Sequence, residues 1–282
     1  DAENRKEEFF RQVVERFELE KVAVPEDFPL KLAEIMREHV ELEPVEDRIM
    51  EARKVKSEEE IGKLKEAQEA TEDAMKHVEK MIEEAETRNG ELYLNNEPLT
   101  SERVRREIRK FLLEKDCEVP QQSIVACGKD SSKPHSTGSG VLRAGKPIVV
   151  DIFPRHENRY YGDMTRTFVK NEASEKVREM KEAVLEAQKA AFKVLENGAG
   201  VKASEVHDAV CDVLEEKGYN TLRQDRNADS GFIHSTGHAV GLELHETPGI
   251  SENDEELEAG NVLTIEPGLY LPEGGVRIED MI

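Results

Sequence analysis

The chain has 282 residues, 37% of them hydrophobic and 36% charged, and 40 basic against 62 acidic residues give a net charge of −22. That length fits one large domain or two ordinary ones, enough to bury a real core. The acidic excess argues against a nucleic-acid binder or a protein that docks on anionic lipid, since both need clustered Lys and Arg.

Residues 21–24 predict a short strand, and 28–39 a helix with Leu32, Ile35, Met36 and Val40 at helical spacing. Pro44 and Val45 begin another extended piece. Residues 1–52 therefore read as part of an α/β unit, the tail of a larger amino-terminal domain. The chain opens on Asp1 rather than Met, so a natural start further upstream is expected.

Ser57 with Glu60 three positions on is a capping box opening a long helix. Ile61, Leu64, Ala67, Thr71, Ala74, Met75, Val78 and Ile82 continue its apolar stripe toward a stop at Asn89-Gly90. The Glu/Lys-rich remainder of 54–88 reads as its solvated face. Thr100 or Ser101 caps a second helix through Leu113. Two more helices are expected at 173–196, stopped by Asn197-Gly198, and 203–217, stopped by Gly218. Strands are expected at 123–127, 147–153, 163–169, 233–235, 261–265 and 275–279. The two helix-and-strand blocks, 57–169 and 173–282, share no clear sequence similarity.

No apolar run approaches the roughly 18 residues of a membrane span, and no signal-peptide pattern is present. Three cysteines far apart in sequence (Cys117, Cys127, Cys211) fit a reduced, cytoplasmic compartment.

Four carboxylates occupy unusual places. Asp151 ends Ile148-Val-Val-Asp, and Asp163 opens Asp163-Met-Thr-Arg-Thr-Phe168. Glu266 ends Val262-Leu-Thr-Ile-Glu, and Glu279 closes Gly275-Val-Arg-Ile-Glu. A lone Asp at a strand end is usually a turn former. Four carboxylates in strand contexts, with few basic residues nearby, point to bound cations, because an unpaired buried charge is very costly. His234, His238 and His245 cluster among glycines, which reads as a site rather than a core. Other chemistries fail on residue type. His234-Ser-Thr-Gly-His238 lacks the Glu of a zincin helix. Gly138-Ser-Gly140 is not a nucleophile elbow. No cysteine sits in a CxxC context, and Gly198-Ala-Gly200 follows a helix rather than a strand.

The run His234-x3-His238-x-x-Gly-Leu-x-x-His245-Glu-x-Pro248 resembles the signature of the pita-bread metallopeptidases (family M24). It is most similar to their Xaa-Pro dipeptidase (prolidase) and Xaa-Pro aminopeptidase branch. The resemblance extends to Asp151…Asp163-Met-Thr-Arg-Thr, Ile265-Glu266-Pro-Gly, Val276-Arg-Ile-Glu279-Asp280 and Pro134-His135, and covers about residues 53–282. It implies an α+β, pita-bread (creatinase/aminopeptidase) catalytic domain at 53–282. Residues 1–52 would be a partial α/β creatinase-like amino-terminal domain, and a further strand would follow Glu279.

The resemblance also implies two divalent ions, with Mn, Co, Fe and Zn all suited to an oxygen-rich site with one imidazole. Asp151 would chelate one ion, Asp163 and Glu279 would bridge both, and His238 and Glu266 would complete the second. Glu266 would move the proton, and His135 and His245 would hold the carbonyl oxygen and the tetrahedral intermediate. His234 and Arg277 would sit behind these ligands or contact the substrate's far end.

The implied activity is hydrolysis of the bond before proline in di- or short peptides with proline second, by a homodimer. A methionine aminopeptidase-like enzyme and a non-catalytic peptide- or protein-binding module of this fold are the alternatives. Three departures stand out. The two aspartates lie one residue further apart than is usual in the family. Ile152-Phe153-Pro154 follow Asp151 where a glycine is usual. An extra residue is harmless at a hairpin tip but would need a bulge within a strand. Ala239 replaces the usual glycine after His238.

Overall fold

The computed structural model describes residues 2–26, 28–45 and 48–282. Contacts within the chain divide it into Asp1–Arg53 and Lys54–Ile282.

In the first unit, helix α1 (Ala2–Arg16) precedes two parallel strands, Lys21–Val24 and Glu41–Pro44, joined through helix α2 (Leu30–Arg37). Parallel strands need such a crossover. Val24, Ala33, Met36 and Val40 form its buried side. The expected strand and helix are present, and the second strand lies just ahead of Val45. Helix α1 was not foreseen; its polar surface is braced by Arg11 bonding to Glu8 and Glu15. Helix α3 (Arg48–Lys54) follows.

The second unit opens with helix α4 (Glu58–Glu84), closed at its start by the expected capping box. Ser57 Oγ accepts from Glu60 N, and Glu60 Oε2 accepts from Ser57 N at 2.9 Å. The helix ends earlier than expected. Asn89-Gly90 is instead the turn of a hairpin joining Glu86–Arg88 to Glu91–Leu94. Its φ values of +53° and +81° are those a two-residue hairpin turn requires. Asn95-Asn96, also at positive φ, turns the chain into a third strand, Glu97–Pro98.

Thr100 caps helix α5 (Ser101–Leu113). Helices α4 and α5 pack on an antiparallel sheet ordered Met164–Phe168, Ile148–Ile152, Ile124–Cys127. Strand alternation divides its residues between two faces. Val125, Ile148, Val150, Ile152 and Met164 enter the helix-side core. Ile124, Asp151 and Thr165 stand side by side on the other face. The ladder runs without a bulge from Met164 opposite Ile152 to Phe168 opposite Ile148. The extra residue between the aspartates therefore lies in the excursion between the strands. Asp163, two positions before Thr165, lies at the edge of the Asp151 face.

The second half repeats the theme. Helices α6 (Glu175–Leu195), capped by Ser174, and α7 (Ala203–Glu216) bury Val184, Ala187, Val206 and Val210. Their core is shared with short antiparallel pairs: Gly237–Ala239 with Glu246–Ile250, Thr264–Ile265 with Asp280–Met281, and Gly268–Leu271 with Gly274–Arg277. The strand expected at 233–235 is absent; only the adjacent Gly231 and Phe232 make isolated bridges. The strands at 246–250 and 268–271 were not foreseen, because glycine and proline interrupt their alternation. The halves join where Glu279 N donates to Thr165 O at 3.1 Å and Thr167 Oγ1 donates to Arg277 O at 2.9 Å. Among the described residues no helix is long and apolar enough to cross a membrane.

Candidate metal centre and active site

The seam between the halves holds a cavity of about 470 Å³. Every residue singled out in the sequence lines it: His135, Asp151, Asp163, His234, His238, His245, Glu266, Arg277 and Glu279. Asp151 and Asp163 come from the first sheet. His238 lies in a short pair of the second half, Glu266 just after Thr264–Ile265 and Glu279 just before Asp280–Met281. The backbone fixes these positions: Glu266 N donates to Thr236 O at 2.8 Å, and His238 N to Thr264 Oγ1 at 3.1 Å. Gly237 is obligatory, since a Cβ there would sit 1.8 Å from Thr264 O.

Asp151, Asp163 and Glu279 are all under 9% exposed. Burial first, then neighbouring carboxylates, drives the Asp163 and Glu279 carboxyls well above their ordinary range: Glu279 and Asp151 act on Asp163, and Glu266 and Asp151 on Glu279. Burial likewise raises Glu266 to about 8, with the Asp151 charge adding to it and Arg277 opposing. Asp151 is raised by burial and restrained by Arg277. Glu279 Oε2 accepts from Thr165 Oγ1 at 2.8 Å, and Asp151 Oδ1 is buried without a hydrogen-bond partner.

The imidazole of His238 is aimed at this cluster. Its Nδ1 lies 3.1 Å from Ala239 O, a donor position. Nε2 is thereby left as the lone-pair atom, 3.5 Å from Glu266 Oε1 and 3.7 Å from Asp163 Oδ2. Burial first, then His245, lowers His238 to about 4, so it is neutral near pH 7. A lone pair facing carboxylates is satisfied by a proton or a metal cation between them, and a ring oriented through Nδ1 is the usual posture of a metal-ligating histidine. Asp163, His238 and Glu279 each offer a ligand atom within 4.8 Å of the others. With the orphaned Asp151 Oδ1 and Glu266 beside them, this donor set fits divalent metal ions.

Arg277, only 3% exposed, is fully engaged. It donates to Asp151 Oδ2 (2.7 Å), Tyr270 Oη (2.7 Å), Thr165 Oγ1 (3.1 Å) and Pro134 O (3.2 Å). Burial opposes its charge, but Tyr270, Asp151, Glu266 and Glu279 hold it well above the ordinary arginine range. His234 is engaged on both sides, Nδ1 with Ser235 O at 2.7 Å and Nε2 with Tyr270 Oη at 3.0 Å. Burial, then the Arg277 charge, lowers it to about 3. Both side chains are thus engaged within the protein. Tyr270 and Thr165 were missed by sequence reasoning. A tyrosine in an apolar run carries no mark of its partner, but the Thr-Arg-Thr after Asp163 was a usable signal.

His135 and His245 are exposed at the cavity. His245 packs edge-on to His238, with ring centres 4.3 Å apart. Burial lowers its pKa, with Asp151 opposing. Ile124, Pro134, Phe153 and Leu244 supply apolar wall.

A deep seam between two helix-backed antiparallel halves, with carboxylates and imidazole converging from both, is the arrangement of a pita-bread metallopeptidase. A family model described as metallopeptidase family M24 matches residues 62–282, and the chain belongs to that family. It is 42% identical to the Xaa-Pro dipeptidase of Pyrococcus furiosus over 163 residues, which is 57% of this chain and 43% of that protein. It is 35% identical to the Xaa-Pro dipeptidase of Pyrococcus horikoshii over 247 residues, 86% of this chain and 63% of that one. The chain thus spans less than two thirds of the length of these curated relatives. Among solved structures, prolidase from Pyrococcus furiosus superposes with a TM-score of 0.79 at 32% identity, covering 96% of this chain and 75% of that one. The X-Pro aminopeptidase from Thermotoga maritima gives 0.83 at 30% identity, covering 98% and 73%. The expected fold class is therefore the observed one.

Proposed function

We propose that this protein hydrolyses the peptide bond before proline in dipeptides or short peptides, using two divalent metal ions. The observation that carries this reading is the buried carboxylate cluster with His238 Nε2 turned into it. The relatives described as Xaa-Pro dipeptidases support the substrate class.

Asp151, Asp163, His238, Glu266 and Glu279 would hold the ions. Bound there, such ions polarise a carbonyl oxygen and bring the pKa of a water toward neutrality. Mn, Co, Fe and Zn all suit the donors. Glu266, the most exposed of these carboxyls, takes a proton from the attacking water and delivers it to the departing proline nitrogen, a proton shuttle of the general acid–base kind. His135 and His245 donate to the carbonyl oxygen as it gains charge. Arg277 and His234 act as positioning residues, Arg277 fixing Asp151 and His234 fixing the Tyr270 hydroxyl. A proline nitrogen carries no N–H, so the apolar wall of Ile124, Phe153 and Leu244 suits the ring better than a donor–acceptor pair would. The protein is proposed to act in the cytoplasm as a homodimer.

The test compares Ala-Pro with Ala-Pro-Ala, using protein reconstituted with Mn²⁺ or Co²⁺ and a chelated control. Metal-dependent cleavage of the dipeptide alone makes it a dipeptidase, and cleavage of the tripeptide an aminopeptidase. Cleavage of neither overturns the proposal.

A further inference from the structure

Helix α5 carries a charge where its apolar stripe predicts a core residue. Ser101, Val104, Arg105, Ile108 and Leu112 form its buried face, and Arg105 is only 5% exposed. A buried guanidinium is costly unless its donors are used. The carboxylate beside it, Glu102, lies 3.8 Å away with its side chain 54% exposed. Arg105 Nη1 instead reaches the segment that carries His135, donating to Thr137 O and, at 3.1 Å, to Gly138 O.

That segment needs outside partners. It is neither helix nor strand, and its main-chain carbonyls must be satisfied from elsewhere. On the other side of His135, Pro134 O accepts from Arg277 Nη1 at 3.2 Å. His135 is thus bracketed by two buried arginines, each gripping backbone carbonyl. Thr137 O also accepts from Val125 N at 3.1 Å. Gly138 lies so close to that strand, at φ +72°, that a Cβ would come within 2.1 Å of Val125 O. Thr137 and His135 both line the cavity. Arg277 already answers to Asp151; Arg105 makes no contact with the carboxylate cluster, so its grip on this segment stands apart from metal binding.

We propose that Arg105 is a positioning residue that holds His135 at the reacting carbonyl through the Thr137 and Gly138 backbone. This rests on the hydrolytic reading above.

The experiment uses the full chain loaded with Mn²⁺, an Ala-Pro substrate, and the variants R105Q, R105K, H135A and R105Q/H135A. Misplacing an oriented group by about an ångström costs on the order of 10²-fold, so R105Q should lower kcat by 10-fold or more, with KM within about 2-fold. R105K, which keeps a donor, should recover part of it. The double variant should be no slower than H135A alone, a coupling that a purely structural role for Arg105 would not produce. Metal content should be unchanged, and hydrogen exchange should quicken in 133–139 but not in 148–152. Should R105Q fail to fold, R105K with H135A reads the same coupling. Losses that simply multiply, or a normal kcat in R105Q beside an impaired H135A, overturn the role of Arg105. A normal kcat in H135A refutes instead the role given to His135 in the reaction.

Discussion

Arg277 Nη2 donates to Asp151 Oδ2 at 2.7 Å, and both residues are buried. The same guanidinium donates to Tyr270 Oη, which lies 3.0 Å from His234 Nε2. One strand residue thus ties the Asp151 strand of the first half to an aromatic pair of the second. Partners that orient ligands in this way are typically worth about 10–100-fold in affinity or activity. R277M should accordingly lower kcat on Ala-Pro by about 10–100-fold. It should also weaken the metal-free fold by about 3 kcal/mol, since it strips a buried carboxylate of its cation. Steady-state kinetics and urea unfolding in chelator check both numbers. An unchanged unfolding midpoint would show that Asp151 simply takes up a proton.

The Glu279 carboxyl is driven upward by burial and then by the Glu266 and Asp151 charges, and Asp163 by burial and then by Glu279 itself. Glu279→Gln should therefore stabilise the metal-free protein, by about 1–3 kcal/mol for one relieved buried charge. Gln can still accept from Thr165 Oγ1, so local packing is retained. The same variant should lose most of the stabilisation that Mn²⁺ gives the wild type through linkage. Urea unfolding with and without Mn²⁺ provides both comparisons. A Glu279→Gln protein less stable than wild type in chelator would sink the argument.

Lys56 Nζ meets Glu246 Oε2 at 3.0 Å, with side chains 2% and 1% exposed. Glu246 Oε1 also accepts from Glu243 N at 3.1 Å. A Cβ on Gly241 would strike both carboxylate oxygens. The turn next to His245 is therefore wrapped around this carboxylate. K56M removes its buried cation and should cost about 3–5 kcal/mol, whereas K56M/E246M should recover most of that loss. A double-mutant cycle in urea measures the coupling, and strict additivity would mean the pair contributes nothing beyond packing.

What was legible in the sequence follows from physics that acts locally. Ser57 and Glu60 mark a helix start because both partners lie within one turn. Asp151 and Glu266 stood out because each ends an apolar run, where an ionised group has no cheap place to go. Asn89-Gly90 was ambiguous for the same reason: a pair able to adopt positive φ stops a helix or turns a hairpin equally well, and only the pairing of 86–88 with 91–94 decides. Arg105, Lys56 and Tyr270 were invisible as site residues. Their partners lie 32, 190 and 36 positions away, at Thr137, Glu246 and His234. Arg105 did leave a trace, as a charge at a core position of α5. The expected strand at 233–235 failed because its residues serve the cavity, His234 bonding Ser235 O and Tyr270 instead of a neighbouring strand.

His207 sits behind the site on α7, 5% exposed. Nδ1 lies 2.9 Å from Thr236 Oγ1 and Nε2 3.5 Å from Cys211 Sγ. Burial lowers its pKa, with Glu252 and Asp208 opposing and Arg223 and Arg226 assisting. The sign follows from proton counting. Below its unfolded pKa of about 6.5, the unfolded chain binds a proton that the folded chain refuses. The stability His207 contributes is therefore present above that pH and is lost as the pH falls toward its depressed folded value. The loss can reach about 1.4 kcal/mol per pH unit. His234, His238 and His245 are lowered too, so the test is a difference. Wild type and H207Q should be unfolded in urea from pH 8 to pH 5, and the wild-type advantage should be constant above pH 6.5 and shrink below it. Because Thr236 O also anchors Glu266 N at 2.8 Å, H207Q should in addition lower kcat by a few-fold at pH 8, where neither state of the histidine is charged. Parallel stability curves across the whole range would mean that His207 takes up its proton in the folded state as easily as in the unfolded one.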